Sequence, residues 1–169
     1  AEFLEQIVLI KQPKKILEIG TAIAYSSIRM ARKLKSKACL DTIEKSKNNI
    51  KLAAEYIKRA EMEHLINILE GDALEIMPKL EGHYDLIFLD ADKQDYEKLF
   101  YYSLMLLKKG GVLFVDNLLW YGYPAAKTVP KSFQRSTKFI REFNKLFVNH
   151  SNLNASIYPI GDGVGVGIK

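Results

Sequence analysis

Short apolar runs alternate with stretches of helical periodicity from one end of the chain to the other. Ala1-Glu2-Phe3-Leu4 opens the chain inside an amphipathic helix. Residues 15–19 (Lys-Ile-Leu-Glu-Ile) predict a buried strand stopped by Gly20, and residues 26–35 then show helical spacing. A second strand is expected over 39–43, with a helix over 46–60 behind it. A third follows at 65–69 with a short helix at 73–79. The most apolar strand is 84–89, followed by a helix over 93–107, and 111–115 is the fifth strand. Phe139, Ile140, Phe143, Leu146 and Phe147 mark one face of a last helix. Residues 155–158 and 164–168, joined through Gly161-Asp162-Gly163, have the length and turn chemistry of a hairpin. Strand–helix alternation with near-continuous apolar strands predicts an α/β fold. Its doubly wound, mostly parallel sheet is covered on both faces and carries a C-terminal antiparallel hairpin. Ligands of such sheets bind at the carboxyl ends of the strands, beside the point where strand order reverses.

At 169 residues the chain fits one domain, 1–169. No apolar run approaches the roughly 18 residues that would span a bilayer, so a membrane protein is excluded. The single cysteine, Cys39, excludes a disulfide scaffold and a cysteine-based zinc site. It also points to a reducing compartment, the cytoplasm. No signal-peptide pattern opens the chain, and with no initial Met part of the natural N-terminus is expected to be missing from this numbering. The net charge is +5, and it is unevenly spread. Residues 121–150 hold six basic side chains (Lys127, Lys131, Arg135, Lys138, Arg141, Lys145) against one acid, Glu142.

The polar residues at the strand ends carry the chemistry. A dinucleotide-binding turn needs G-x-G-x-x-G, but counting from Gly20 the later glycine positions hold Ala22 and Tyr25. A nicotinamide-dependent dehydrogenase is therefore disfavoured. Glu18, two residues before Gly20, would repel phosphate and suit an ammonium or sulfonium ligand; alternatively it pairs with a nearby lysine. Glu44, 24 residues past Gly20, can accept both hydroxyls of a ribose, or can simply open a helix where the dipole favours acids. The fourth and fifth strands deliver Asp90, Asp116 and Asn117 to one sheet edge. Three hard oxygen donors without His or Cys suit Mg²⁺ or Ca²⁺. Asp92, with Asp95 three residues on, fits a helix cap. Lys93 sits at a helix start near the proposed cation. Both would favour its neutral form and make it a candidate general base, where a lone lysine would ordinarily be solvated.

Together these stretches resemble the cation-dependent class I O-methyltransferases, the catechol and caffeoyl-CoA type. The resemblance is carried by Leu17-Glu18-Ile19-Gly20-Thr21 with Tyr25-Ser26, Thr42-Ile43-Glu44, Gly71-Asp72-Ala73, Asp85 to Lys93, Gly110 to Asn117, and Gly161-Asp162-Gly163-Val164. It implies a Rossmann-like methyltransferase sheet and S-adenosylmethionine as methyl donor. It also implies Glu18, Gly20 and Ser26 along the methionine part, Glu44 on the ribose, and Asp72 and Ala73 beside the adenine. By the same resemblance Asp90, which is also counted in the cofactor pocket, Asp116 and Asn117 hold the divalent cation, and Lys93 deprotonates the acceptor hydroxyl. Two departures stand out. Ala24 replaces a usual glycine, so its methyl group is expected to weaken cofactor binding. The N-terminal helices that help close the pocket and support a homodimer are absent or trimmed.

A cation that chelates two adjacent oxygens requires an acceptor hydroxyl vicinal to a second oxygen. Catechols meet that rule, and so does 5-hydroxyuridine, methylated in tRNA by bacterial members of the family. Residues 118–135 are expected to border the acceptor site and combine Lys127, Lys131 and Arg135 with Trp120, Tyr121 and Tyr123, a mixture suited to structured RNA. Expected partners are therefore tRNA or a small catechol-like molecule, with a second copy of the chain as a homodimer, and no membrane. Lys138, Arg141 and Lys145 are expected to form a solvated face. The non-enzyme alternative is a nucleotide-binding domain without chemistry, against which the full Asp90, Lys93, Asp116 and Asn117 set argues.

Overall fold

The computed structural model describes residues 1–169. Strands β1 (Lys15–Ile19), β2 (Cys39–Glu44), β3 (Ile66–Glu70), β4 (Tyr84–Leu89) and β5 (Leu107–Val115) run parallel. Strand β7 (Val164–Ile168) lies antiparallel between β5 and β6 (Asn154–Tyr158), giving the order β3-β2-β1-β4-β5-β7-β6. The doubly wound expectation holds. What the hairpin alone does not reveal is that its second strand, not its first, joins the sheet.

Helix α1 (Glu2–Lys11) precedes β1, and five more connect the strands: α2 (Tyr25–Ala31), α3 (Lys47–Arg59), α4 (Ala73–Ile76), α5 (Tyr96–Leu106) and α6 (Gln134–Asn149). Strand side chains alternate between the faces, so one strand feeds two cores. Leu17, Ile87, Leu89 and Leu113 pack with Phe100 of α5 and with Ile140, Phe143 and Phe147 of α6. Ile16, Leu40, Leu86 and Phe114 pack on the opposite face with Leu4, Val8, Met30 and Ile57. Burial of each large apolar side chain stabilises the fold by about 1.5–3 kcal/mol. Residues 93–95 form a separate 3₁₀ turn ahead of α5, and β5 begins at Leu107, before Gly110 and Gly111. That longer strand is held by Lys169, whose backbone pairs with Gly110 and Gly111.

Strand order reverses between β1 and β4, and the ladder there continues past the strand ends. Asp90 N–H donates to Ile19 O at 3.0 Å and Asp116 N–H donates to Leu89 O at 3.1 Å. Backbone pairing thus sets Asp90 and Asp116 side by side. Gly20 is required at this crossing: its φ is +104°, and a Cβ would lie 2.0 Å from Asp90 O. No helix is long and apolar enough to cross a membrane.

Candidate active site

Two cavities open along the carboxyl edge and share Gly20, Ala22 and Asp90 as lining. The first, about 240 Å³, is also lined by Glu44, Asp72 and Ala73. Glu44 accepts hydrogen bonds from the N–H groups of Ala22 (2.8 Å) and Ser46 (2.9 Å). A carboxylate has about four acceptor positions, so roughly two remain for a ligand. Asp72 caps α4 by accepting from Leu74 N–H at 2.9 Å. Lys45 stands on the rim, its Nζ 3.1 Å from Asp92 and 3.9 Å from Asp72. Asp92 therefore does not cap with its side chain, contrary to expectation. The lysine across the cavity takes it instead.

Glu18 differs from the direct ligand expected. It is fully buried and lines neither cavity. No lysine pairs with it. Its carboxylate accepts from the hydroxyls of Ser26 and Ser27 in the first turn of α2, and from Thr42 Oγ1 (2.6 Å) on β2. Thr42 in turn touches Thr21 Oγ1 at 2.6 Å. Burial pushes the Glu18 carboxyl up to about 7, against the three hydroxyl donors and with a small push from Asp90. Ser26 does face the second cavity. Thr42 and Ser27 were missed from sequence, although Thr42 occupies the register position opposite Glu18.

Ala24 also departs from expectation. Its φ is +65°, in the left-handed region, but its methyl group is buried in the core and lines neither cavity. The cost of replacing glycine falls on the backbone, at roughly 1–2 kcal/mol, rather than on a ligand.

At the ends of β4 and β5, Lys93 is drawn in among the proposed cation ligands. Its Nζ is 3.6 Å from Asp90 Oδ1 and 3.2 Å from Asn117 Oδ1, and it donates to Tyr96 Oη. Tyr96 Oη donates to the Asp116 carbonyl at 3.0 Å. Burial pushes the Lys93 ammonium down, while Asp90 and Asp116 resist. Burial also raises the Asp90 carboxyl; Lys93 opposes this and Asp116 adds to it. Two mutually repelling carboxylates and an amide oxygen suit a hard divalent ion, and the Lys93 ammonium already meets one of the carboxylates and the amide. No third carboxylate, histidine or cysteine joins them. Tyr96 escaped sequence reasoning, though it stands one helical turn beyond Lys93.

The second cavity, about 780 Å³, is walled by Asp90, Asp116, Asn117, Ser26, Phe3 and Asp162. Beyond it the chain is strained: Asn117, Trp120 and Tyr121 all have positive φ (60°, 44° and 58°). The Gly161-Asp162-Gly163 turn holds this loop. Leu118 N–H donates to Gly163 O (2.9 Å), Leu119 N–H to Asp162 O (2.8 Å) and Tyr121 N–H to Asp162 Oδ1 (2.6 Å). A Cβ on Gly163 would lie 2.4 Å from Leu119 Cγ. Trp120, Tyr121, Tyr123 and Phe133 pack ring against ring, with centroids 5.1–6.4 Å apart.

The basic residues are placed less simply than expected. Arg135 reaches Gln94, next to Lys93, at 3.5 Å. Lys127 and Lys131 do not line the cavity beside Asp116. Arg141 is exposed as expected, and it also donates to the carbonyls of Tyr123, Pro124 and Ala126.

Proteins similar to this chain match nearly all of it, while the chain spans about three quarters of their own length. A caffeoyl-CoA O-methyltransferase from Populus kitakamiensis is 31% identical over 170 residues, covering 96% of this chain and 72% of that protein. The crystal structure of the O-methyltransferase TomG from Streptomyces achromogenes, in complex with SAM, superposes with a TM-score of 0.88. It is 30% identical, with 99% of this chain and 78% of that one covered. An O-methyltransferase from Bacillus cereus, in complex with SAH, gives a TM-score of 0.89 at 29% identity, over 99% of this chain and 80% of that one. The family model described as O-methyltransferase matches residues 1–169, and the chain belongs to that family.

Proposed function

We propose that this protein transfers a methyl group from S-adenosylmethionine to a hydroxyl vicinal to a second oxygen, with a divalent cation, and that its acceptor is 5-hydroxyuridine in tRNA. The observation that carries the reaction is Asp90, which lines both cavities and has Lys93 beside it. The first cavity then takes the nucleoside part of the donor, and the second takes its methionine part beside the acceptor. Glu44 holds the ribose hydroxyls through its free acceptor positions, and Asp72 and Ala73 border the adenine. Gly20 and Ser26 flank the methionine part, and Glu18 fixes the Ser26 turn from behind. S-adenosylmethionine supplies an electrophilic methyl group on sulfur, for which an oxygen must be held in line. Asp90, Asp116 and Asn117 would hold the divalent cation, whose contribution is to orient the two acceptor oxygens and acidify the hydroxyl. Neutral Lys93, favoured by its burial, accepts the hydroxyl proton at Nζ.

The tRNA assignment is supported by charge and aromatics. Lys127, Lys131 and Arg135 have no carboxylate within 4.0 Å, and Tyr121 is 70% exposed at the head of the aromatic cluster, free to stack on a base. A small catechol-like acceptor is the second reading, favoured by the caffeoyl-CoA name of the relative above. The test is incubation with S-adenosylmethionine, Mg²⁺ and either tRNA bearing 5-hydroxyuridine or free catechol, followed by mass spectrometry. Conversion to 5-methoxyuridine is expected. Methylation of catechol alone would favour the second reading, and methylation of neither would overturn the reaction.

A further inference from the structure

We infer that the solvent face of α6 and the segment before it form a groove that docks RNA phosphates, separate from the acceptor cavity; the assignment to RNA rests on the tRNA reading above. The groove, about 430 Å³, runs between Lys127 and Val129 on one side and Lys138, Arg141 and Lys145 on the other. Val129 is its one apolar lining residue, so it offers little to a hydrophobic partner. Lys138, Arg141 and Lys145 recur at helical spacing over about 10 Å of axis, enough to meet more than one phosphate of a strand.

The positive charge there is only partly compensated, by one lining acid, Glu142, against four basic side chains. Lys127 and Lys145 have no acidic partner, and Lys138 meets Glu142 only at 4.0 Å. Arg141 spends its hydrogen bonds on three neutral carbonyls, which stiffens the groove wall and leaves its charge intact. A further observation points to a ligand. Thr137 also lines the groove, and its Oγ1 is buried without a hydrogen-bond partner. A buried hydroxyl is normally satisfied, and a turn of the Thr137 side chain toward the groove would let it donate to a phosphate oxygen. The same helix reaches the reaction site through Arg135 and Gln94, so a strand held in the groove would lead toward Lys93.

The test is the double charge reversal Lys138→Glu/Lys145→Glu, compared with Lys138→Arg/Lys145→Arg. tRNA affinity is measured by fluorescence anisotropy across a salt series, with catechol methylation as a control for folding and chemistry. The reversal is expected to weaken tRNA binding by about tenfold or more and to lower the salt slope by about one per lysine. The Arg pair should bind normally, and both variants should keep catechol turnover. Unchanged affinity and slope in the reversal variant, with wild type binding tRNA, would overturn the groove alone. Failure of wild type to bind tRNA at all would overturn the tRNA reading, and the groove's assignment with it.

Discussion

At the ends of β1, β2 and β3 the acids are anchored by backbone and hydroxyl groups. Glu44 is held by two N–H groups, Asp72 by one, and Glu18 by three hydroxyls. At the ends of β4 and β5 the arrangement turns on a cation: Lys93 contacts both Asp90 and Asn117. Neutral donors fixed by the fold keep a site in one geometry whatever is bound. A cluster organised around a buried lysine can take a different cation and move a proton. On the function proposed above, the first half holds the donor and the second carries the reaction.

The largest expected effect falls on the reacting half. Lys93→Ala should lower kcat by about 10²–10⁴-fold, the usual range for a general base, while calorimetry shows S-adenosylmethionine binding preserved. A kcat within twofold of wild type would return Lys93 to a structural role.

Glu18 comes next, through stability. The native carboxyl keeps its proton up to about 7, whereas the unfolded chain releases it near pH 4.3. The folded protein therefore binds more protons in that window, and stability falls as pH rises through it. The loss is of order 3 kcal/mol, fully present above about pH 7 and absent below about pH 4.3. Glu18→Gln should flatten that dependence when Tm is recorded at pH 5 and pH 8. Parallel profiles for the two proteins would mean that Glu18 is ionised throughout.

On the holding half, Glu44→Ala should weaken S-adenosylmethionine binding by about 1–3 kcal/mol, the scale of charge-assisted hydrogen bonds, read as a raised Kd with kcat little changed. Ala24→Gly should change Kd less than twofold, because the buried methyl group lies outside both cavities. A large gain in affinity would show that the methyl group does obstruct the cofactor turn.

The holding half was the more legible in sequence, because its geometry follows local rules. Glu44 and Asp72 each sit at a strand end just before a helix, and the apolar runs around them are unambiguous. The adjacency of Asp90 and Asp116 was also legible, since each follows a buried strand by one residue. The rest depends on contacts between distant segments. Asp162 reaches Tyr121 across 41 positions, Arg141 turns back to the carbonyls of Tyr123, Pro124 and Ala126, and Asp92 leaves its own helix for Lys45. Burial of Glu18 among hydroxyls required knowing the β1–β2 register. A lone acid in a strand gives no such sign.

The division into a holding half and a reacting half is tested most directly by calorimetric titration of S-adenosylmethionine into Asp116→Ala. Asp116 lies on β5's end, away from Glu44, Asp72 and Ala73, and does not line their cavity. Affinity within about threefold of wild type, in a variant that no longer transfers methyl groups, is the expected result. Loss of cofactor binding in parallel with turnover, in a variant whose Tm is unchanged, would contradict the division.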